Sequence, residues 1–142
     1  MMGVSRGGGE LDGFRVGFVP DGMGGEVSDF ASEWEDVAFA SRFWERQTPD
    51  GHQVDLRVHV LRGERLVDRE ALREFLAAYQ ERDPTQWQLA EFPHDDGPGL
   101  AGEAEAFWLV EPGVAGWVLT SPEFGATTVP IAQAVRPVTE VR

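Results

Sequence analysis

The clearest alternation of apolar and polar residues lies in the segment VDLRVHVLRG, which covers residues 54–63. The apolar residues share one parity and the polar residues share the other: Val54, Leu56, Val58 and Val60 against Asp55, Arg57 and His59. A period of two is typical of a strand with one buried face. We therefore predict a β-strand here.

The preceding segment, EWEDVAFASRFWERQ, also alternates, and it predicts a single strand from Trp34 to Arg46. Its two parities are Val37, Phe39 and Phe43 on one side and Trp34, Asp36, Arg42 and Trp44 on the other. The sequence TPDG, which separates the two segments, is a turn signal of hairpin length. The two strands are therefore expected to pair antiparallel.

After Asp68 the period changes to that of a helix, with apolar residues at i, i+3, i+4 and i+7: Leu72, Phe75, Leu76 and Tyr79. Asp68 is suited to be the N-cap, and Asp83-Pro84 marks the end because the residue before proline disfavours helical backbone. A helix with one apolar stripe needs a sheet to cover.

The rest of the chain predicts shorter elements: a strand at Phe14–Val19, a strand in WQLAEF, a loop in PHDDGPGLAG, a hairpin around Glu111-Pro112-Gly113 and a helix in TTVPIAQAV. The predicted fold class is α+β, with one antiparallel sheet of about six strands and two helices, the longer packed on one face. We assign residues 1–13 to a flexible lead-in, 14–138 to a single domain and 139–142 to a tail.

Composition narrows the possible functions. The 142 residues contain no cysteine and carry a formal net charge of −13, and the 12 basic residues are all arginine. This acidity argues against nucleic acid as a partner, because nucleic-acid binding depends on cations at phosphates. No apolar run reaches the length of a membrane span, and the first residues lack the apolar core of a signal peptide. The expected location is cytoplasmic, or extracytoplasmic if an upstream anchor is missing.

One short motif suggests metal chemistry. The loop Asp21-Gly22-Met23-Gly24-Gly25 resembles the metal-binding loop of the protein phosphatase 2C family, which would imply a metal-dependent phosphatase. The family also uses a distant Asp-Asn motif, and this chain contains no asparagine. We therefore interpret the loop as a turn, expect no metal and no cofactor, and keep a phosphatase-like hydrolase as a remote alternative.

The tryptophans are the remaining informative residues. Trp108 and Trp117 fit the core of the predicted terminal hairpin. Trp34, Arg42 and Trp44 share the parity opposite the apolar residues, and tryptophan and arginine are enriched in binding hot spots. We predict that these three residues form a binding face. The alternative is that the helix covers this face.

Three further features are the Val19-Pro20-Asp21-Gly22 turn, the hairpin from Trp108 to Trp117, and the segment from Ile131-Ala132 to Val135. In this order they resemble a small domain common in actinobacterial proteins of unknown function, often beside anti-sigma-factor-like or lipoprotein-like segments. The resemblance implies no catalytic residue. The sequence therefore favours a non-enzymatic interaction domain that binds a protein partner or itself as a homodimer. The alternative is a carrier or sensor of a small apolar ligand.

Overall fold

The structure is a computed structural model that describes residues 5–138, without the side chains of Ser5 and Arg6. The predicted tail at 139–142 lies outside the described residues. Within them the helices are α1 (Arg69–Tyr79) and α2 (Thr128–Gln133), with 3₁₀ turns at Pro84–Gln86 and Pro122–Thr127. The strands are β1 (Ser5–Arg6), β2 (Gly9–Leu11), β3 (Phe14–Val16), β4 (Val19–Pro20), β5 (Glu26–Trp34), β6 (Val37–Thr48), β7 (Gly51–Arg62), β8 (Ala90–Phe92), β9 (Gly99–Gly102), β10 (Glu105–Glu111), β11 (Val114–Thr120) and β12 (Val135–Pro137).

A seven-stranded antiparallel sheet forms the centre of the molecule, in the order β5-β6-β7-β11-β10-β9-β8. The two predicted hairpins, β6–β7 and β10–β11, are both present in it. They meet where β7 pairs with β11. The α+β class is therefore confirmed, with far more residues in strands than in the two α-helices.

The prediction of one sheet of about six strands is wrong. Besides the seven-stranded sheet, the described residues contain a three-stranded sheet in the order β12-β3-β2 and a two-stranded pairing of β1 with β4. Residues 5–11, which were assigned to a flexible lead-in, contribute β1 and β2 to these sheets. Asp12 and Gly13, with φ of 48° and 86°, form the tight turn between β2 and β3.

The three-stranded sheet and α2 cover one face of the central sheet, and α1 covers part of the other. The first interface buries residues from both sheets and α2, including Val16, Trp44, Leu56, Trp108 and Ile131. The second buries α1 residues against sheet residues, including Phe39, Leu61, Leu72, Phe75 and Trp117. The longer helix therefore packs on one face of the sheet, as predicted.

Helix α1 begins where the sequence predicts, but it ends at Tyr79 with Gln80 as C-cap, before the predicted end at Asp83-Pro84. The Asp68 carboxylate accepts a hydrogen bond of 2.8 Å from the backbone N–H of Ala71, which makes Asp68 the N-cap. Leu72, Phe75 and Leu76 are at most 2% exposed and fill the space between helix and sheet. No helix within residues 5–138 is both long and apolar enough to cross a membrane.

The strand predicted from Trp34 to Arg46 is in fact the end of one strand and most of another. Glu35 and Asp36, with φ of 51° and 67°, form a two-residue turn between β5 and β6. Positive φ at both central residues defines the type I′ turn of hairpins. Trp34 is therefore paired with Val37 across the turn, and the two side chains lie on the same face.

Candidate interaction surface

The three residues predicted to form a binding face do not share one surface. Trp44 lies on β6, faces the three-stranded sheet and is only 2% exposed. Arg42 lies on the same face of β6, but Trp34 lies on the α1 face of the sheet because of the turn at residues 35–36. The predicted placement of the three side chains on one face is wrong, because it assumes a continuous strand from Trp34 to Arg46. The turn at residues 35–36 places Trp34 on a different strand from Arg42 and Trp44.

Arg42 has a structural position rather than an exposed one. Its Nε and Nη2 atoms donate to the Asp29 carboxylate at 2.7 Å and 2.8 Å, and Nη1 donates to the carbonyl of Gly8 at 2.6 Å. The hydrogen bond from Arg42 holds the pKa of Asp29 below its usual value. Arg42 therefore ties β5 and the N-terminal segment to β6 and neutralises one carboxylate of β5.

An exposed cluster of aromatic side chains lies instead on the α1 face of β5 and β6, beside the helix. We call Phe30, Trp34, Phe43 and Tyr79 the aromatic patch. Phe30, Trp34 and Tyr79 are 52%, 36% and 40% exposed, which is unusual for large apolar side chains. The rings contact one another in pairs: Phe30 with Phe43 at 5.0 Å between centroids, and Trp34 with Tyr79 at 5.3 Å.

The patch is uncovered because one helix cannot span the sheet. Seven strands at a spacing of about 4.8 Å extend over roughly 29 Å. Helix α1 has 11 residues, which gives a length of about 16 Å and a width of about 10–12 Å with side chains. Trp34 contacts the helix residues Phe75 and Tyr79, whereas Phe30 lies further along β5. The α1 face of the β5 end of the sheet is therefore left open.

Beneath the patch lies a buried pair, Ser41 and His59. The Oγ of Ser41 and the Nδ1 of His59 are 2.6 Å apart, and the imidazole ring packs among Phe39, Phe43 and Trp117. Burial, with a smaller contribution from the Arg57 guanidinium, lowers the pKa of His59 from 6.5 to about 3. The imidazole is therefore neutral at physiological pH.

A serine next to a histidine is the arrangement that activates a nucleophile in hydrolases. Here Ser41 is 5% exposed and His59 is 8% exposed, so a substrate has little access to the hydroxyl. An imidazole with a pKa near 3 is also a weak base at neutral pH. The pair is better explained as a satisfied polar contact inside the sheet–helix core than as a catalytic site.

The outer side of β5 is the second feature of this region, and we call it the free edge. Strand β5 is nine residues long and stands at the end of the seven-stranded sheet. The other end strand, β8, has only three residues. A strand at the end of a sheet leaves a row of backbone N–H and C=O groups without partners in that sheet. The free edge and the aromatic patch adjoin each other, since Phe30 and Trp34 belong to both.

Two of the three glycines in the loop that resembles a phosphatase motif have a structural explanation, Gly22 and Gly24. Gly22 has φ of 97°, which favours glycine. A Cβ on Gly24 would lie 2.0 Å from the carbonyl oxygen of Glu45, so only glycine fits against β6. The backbone N–H of Gly24 donates to the buried carboxylate of Asp55 at 2.8 Å, and Arg46 pairs with the same carboxylate. The loop is therefore fastened to β6 and β7.

The sequence also contains acidic and histidine residues that could suggest a metal site. Within residues 5–138, no group of three or more histidine, aspartate and glutamate side chains is placed to hold a metal ion. His94 donates from Nε2 to the carbonyl of Ala132 at 2.9 Å and accepts at Nδ1 from the N–H of Asp96 at 3.1 Å. Its ring stacks on Trp108 at 4.6 Å. Both nitrogens therefore serve to hold the loop in place.

The prediction that Trp108 and Trp117 belong to the core is confirmed. Trp108 is fully buried, and its ring packs so closely on Gly116 that a Cβ there would lie 2.3 Å from it. Trp117 is 3% exposed, and its indole N–H donates to the buried Glu105 carboxylate at 2.9 Å. Both tryptophans therefore stabilise the centre of the sheet.

No protein-family model, no curated protein and no solved structure matches this chain. The two resemblances seen in the sequence therefore remain predictions. The function must therefore be inferred from the chain's own residues. The aromatic patch and the free edge are the features of this region that packing of the core does not account for.

Proposed function

We propose that this chain is a non-enzymatic protein-interaction domain, and that it binds an extended segment of a partner protein along the free edge of β5. The observation that carries the proposal is the combination of a long unpaired strand with exposed aromatic rings beside it. Recognition by strand addition uses these two components: backbone hydrogen bonds supply affinity, and contacts with alternate side chains supply specificity.

The character of β5 supports this function. Natural sheets protect their edges with short strands, charged side chains, proline or bulges. Strand β5 is nine residues long, contains no proline or lysine, and pairs with β6 in unbroken register from Glu26 to Trp34. Its charged residues are three acids, Glu26, Asp29 and Glu33, and the Asp29 carboxylate is paired with Arg42 of the same chain. At the opposite end of the sheet, the three-residue β8 is protected by its shortness.

The aromatic patch supports it too. A patch of large apolar rings with an adjacent cation is typical of binding surfaces, where tryptophan, tyrosine and arginine are enriched. The Arg57 guanidinium lies over the ring of Phe43, 5.4 Å from its centroid. Of the residues first predicted to bind, Trp34 belongs to this surface, while Arg42 and Trp44 hold β5 and β6 from the other face.

The alternative functions have less support. A carrier of a small apolar ligand would need space between helix and sheet, where Leu72, Phe75 and Leu76 pack closely against the sheet core. A hydrolase built on the Ser41–His59 pair would need an accessible hydroxyl, and Ser41 is buried. The interaction domain is therefore the function that the geometry supports best.

The test is a selection of displayed extended peptides on the wild-type domain, followed by titration of the selected peptides into isotope-labelled protein. We expect the peptides to shift the backbone amides of β5 and to bind the Phe30→Thr variant about tenfold more weakly. Threonine preserves strand propensity, so the fold should be retained. Val67→Thr is the matched control, because Val67 is 56% exposed and lies outside the patch.

The proposal would be wrong if no selected peptide depended on β5 and if the domain also failed to associate with itself. A peptide that bound equally to wild type, Phe30→Thr and Val67→Thr would count against it as well, because such binding would not use the aromatic patch.

A further inference from the structure

We infer that the partner at the free edge is a second copy of this chain, whose β5 pairs antiparallel with the first across a two-fold axis at Phe30. This inference rests on the proposed function and specifies its partner. The argument uses three properties of β5: the direction of its backbone groups, the positions of its acidic residues and the stacking of its aromatic rings.

The turn at residues 35–36 fixes which backbone groups point outward. Residues that flank a two-residue type I′ turn form a hydrogen-bonded pair, and such pairs alternate along an antiparallel ladder. Trp34 and Val37 are this pair, and the register is unbroken to Glu26. The even-numbered residues of β5 therefore bond to β6. The odd-numbered ones direct their N–H and C=O groups outward: Val27, Asp29, Ala31 and Glu33.

Symmetry limits the possible registers. A two-fold axis normal to the sheet keeps each face on its own side, so residues of equal parity must stand opposite one another. The axis must then pass through a residue near the middle of β5, and the three central candidates are Asp29, Phe30 and Ala31. Each of them pairs the acidic residues of the two copies differently.

Charge selects among these registers, because like charges directly opposite each other destabilise a sheet. An axis at Asp29 places the two Asp29 carboxylates face to face, and an axis at Ala31 places Asp29 opposite Glu33. An axis at Phe30 places every acid of β5 opposite an uncharged residue: Glu26 opposite Trp34, Val27 opposite Glu33 and Asp29 opposite Ala31. Asp29 is moreover already paired with Arg42 of its own chain.

The aromatic rings favour the same register. Phe30 is even-numbered, so the two copies of Phe30 would form a pair without mutual hydrogen bonds, in which side chains approach most closely. Each Phe30 already contacts Phe43 of its own chain at 5.0 Å. The dimer would therefore have a continuous row of four phenylalanine rings across the interface. This contact would bury Phe30, the most exposed aromatic residue that the structure describes.

The assembly closes at two copies. An isologous contact uses the same surface on both partners and leaves no second copy of that surface free. The remaining end strand, β8, has three residues, too few to add another long strand. Because each chain carries a formal charge of −13, the copies repel at long range, and salt should strengthen their association.

A mixed-cysteine experiment tests the register directly, since the chain contains no cysteine. In the proposed dimer Ser28 of each copy stands opposite Ser32 of the other, in a pair without mutual hydrogen bonds. The Cα atoms of such a pair are about 4.5 Å apart, within the roughly 4.4–6.8 Å that a disulfide requires. Ser28→Cys and Ser32→Cys proteins, mixed in a glutathione redox buffer, should form a disulfide-linked heterodimer.

Each single variant alone is the matched control. We expect about tenfold less disulfide dimer from either variant alone, because like positions are about 13 Å apart in this register. Disulfide formation by Ser28→Cys alone would place the axis at Ser28 and overturn the register. Equal cross-linking in all mixtures, or none in any, would overturn the specific dimer.

Sedimentation equilibrium tests the association without any cross-link. The outward N–H of Ala31 would bond to the second copy, so Ala31→Pro should weaken association about tenfold or more while α1 and the core remain folded. Phe30→Asp, which places two charges at the axis, should do the same and serves if the proline variant does not fold. Val67→Thr should associate like wild type, and association should strengthen between about 0.05 M and about 0.5 M NaCl.

The second copy would be overturned as the partner if the wild-type protein sedimented as a monomer at every concentration and the mixed Ser28→Cys and Ser32→Cys proteins formed no disulfide-linked dimer. The proposed function would then still be decided by the selected peptides. If those peptides bind β5, the free edge serves an extended segment of a different protein; if they do not, both proposals fail.

Discussion

The two faces of the seven-stranded sheet are covered to different extents. The three-stranded sheet and α2 cover one face out to β6, where Trp44 is almost completely buried. On the other face α1 leaves β5 and part of β6 open, where Phe30 and Trp34 are exposed. The first face is suited to stability and the second to binding. The two tryptophans of this region, Trp34 and Trp44, therefore have different roles although they are ten positions apart on one hairpin.

The largest expected effect is on the covered face. Trp44→Ala should lower the free energy of unfolding by about 3–5 kcal/mol, because it empties a large buried site between the two sheets. Trp34→Ala, the matched variant on the open face, should cost about 1–2 kcal/mol because less apolar area is lost. Urea unfolding of both variants measures the difference, and equal losses would remove the distinction between the faces.

The next largest loss of stability is expected where α1 covers the sheet. Leu72→Ala should cost about 2–5 kcal/mol, since Leu72 is fully buried between α1 and the sheet. Val67→Ala, just before the helix and exposed, should change stability by less than about 0.5 kcal/mol. If Leu72→Ala behaved like Val67→Ala in urea unfolding, α1 would not be a stable cover of the sheet.

Burial of the His59 imidazole makes the free energy of unfolding depend on pH. The pKa of His59 is about 3 in the folded protein and 6.5 in the unfolded chain. Between these two pH values the imidazole is protonated in the unfolded chain and neutral in the folded protein. Stability should therefore fall as pH decreases from 6.5 towards 3, with no contribution from His59 above 6.5. Between about pH 6 and about pH 5 the expected loss is about 1 kcal/mol.

The control for this effect is the His59→Gln variant, which cannot take up a proton in this range. The same unfolding series should show a smaller loss in the variant, by about the amount attributed to His59. Identical pH profiles for the two proteins would mean that His59 is accessible to protons in the folded state.

The smallest expected effect is at the centre of the aromatic patch. Phe30→Thr should change the free energy of unfolding by less than about 0.5 kcal/mol, because Phe30 is half exposed and threonine suits a strand. Phe39→Thr, on the same face but buried, should cost several times more. Comparable losses in thermal and urea unfolding would mean that Phe30 belongs to the core of a single chain.

The parts of the fold that the sequence predicted are those in which burial imposes a strong period. In β7 the apolar residues Leu56, Val58 and Val60 face the interface with the three-stranded sheet, although Asp55 and His59 of the other parity are buried as well. In α1 a stripe of apolar residues contacts the sheet. The hairpin around Pro112 and Gly113 carried explicit turn residues. Where burial and turn chemistry agree, one reading of the pattern is strongly favoured.

The parts that were missed lack those signals. Strand β5 has little buried surface, and its apolar residues, Val27, Phe30 and Trp34, do not share one parity. Its turn is Glu35-Asp36, without the glycine or asparagine that usually marks a type I′ turn. The candidate site was therefore only partly predictable: Trp34 was found, but its face was assigned wrongly. The β2–β3 hairpin is the exception among the missed parts: its turn contains the recognisable pair Asp12-Gly13, although residues 1–13 are predicted to be a flexible lead-in.

The pairing of β7 with β11 has a consequence for how the chain folds. Strands β5, β6 and β7 follow one another in the sequence and can form a meander with short loops, as can β8 to β11. The seam between these halves joins distant parts of the chain, Arg62 with Val114 and Leu56 with Thr120. Closing such a long loop slows folding, because its entropy is lost before the contacts are gained. Until the seam closes, each half exposes a further long strand, so the docking of the two meanders is the step at which slow refolding and aggregation would compete.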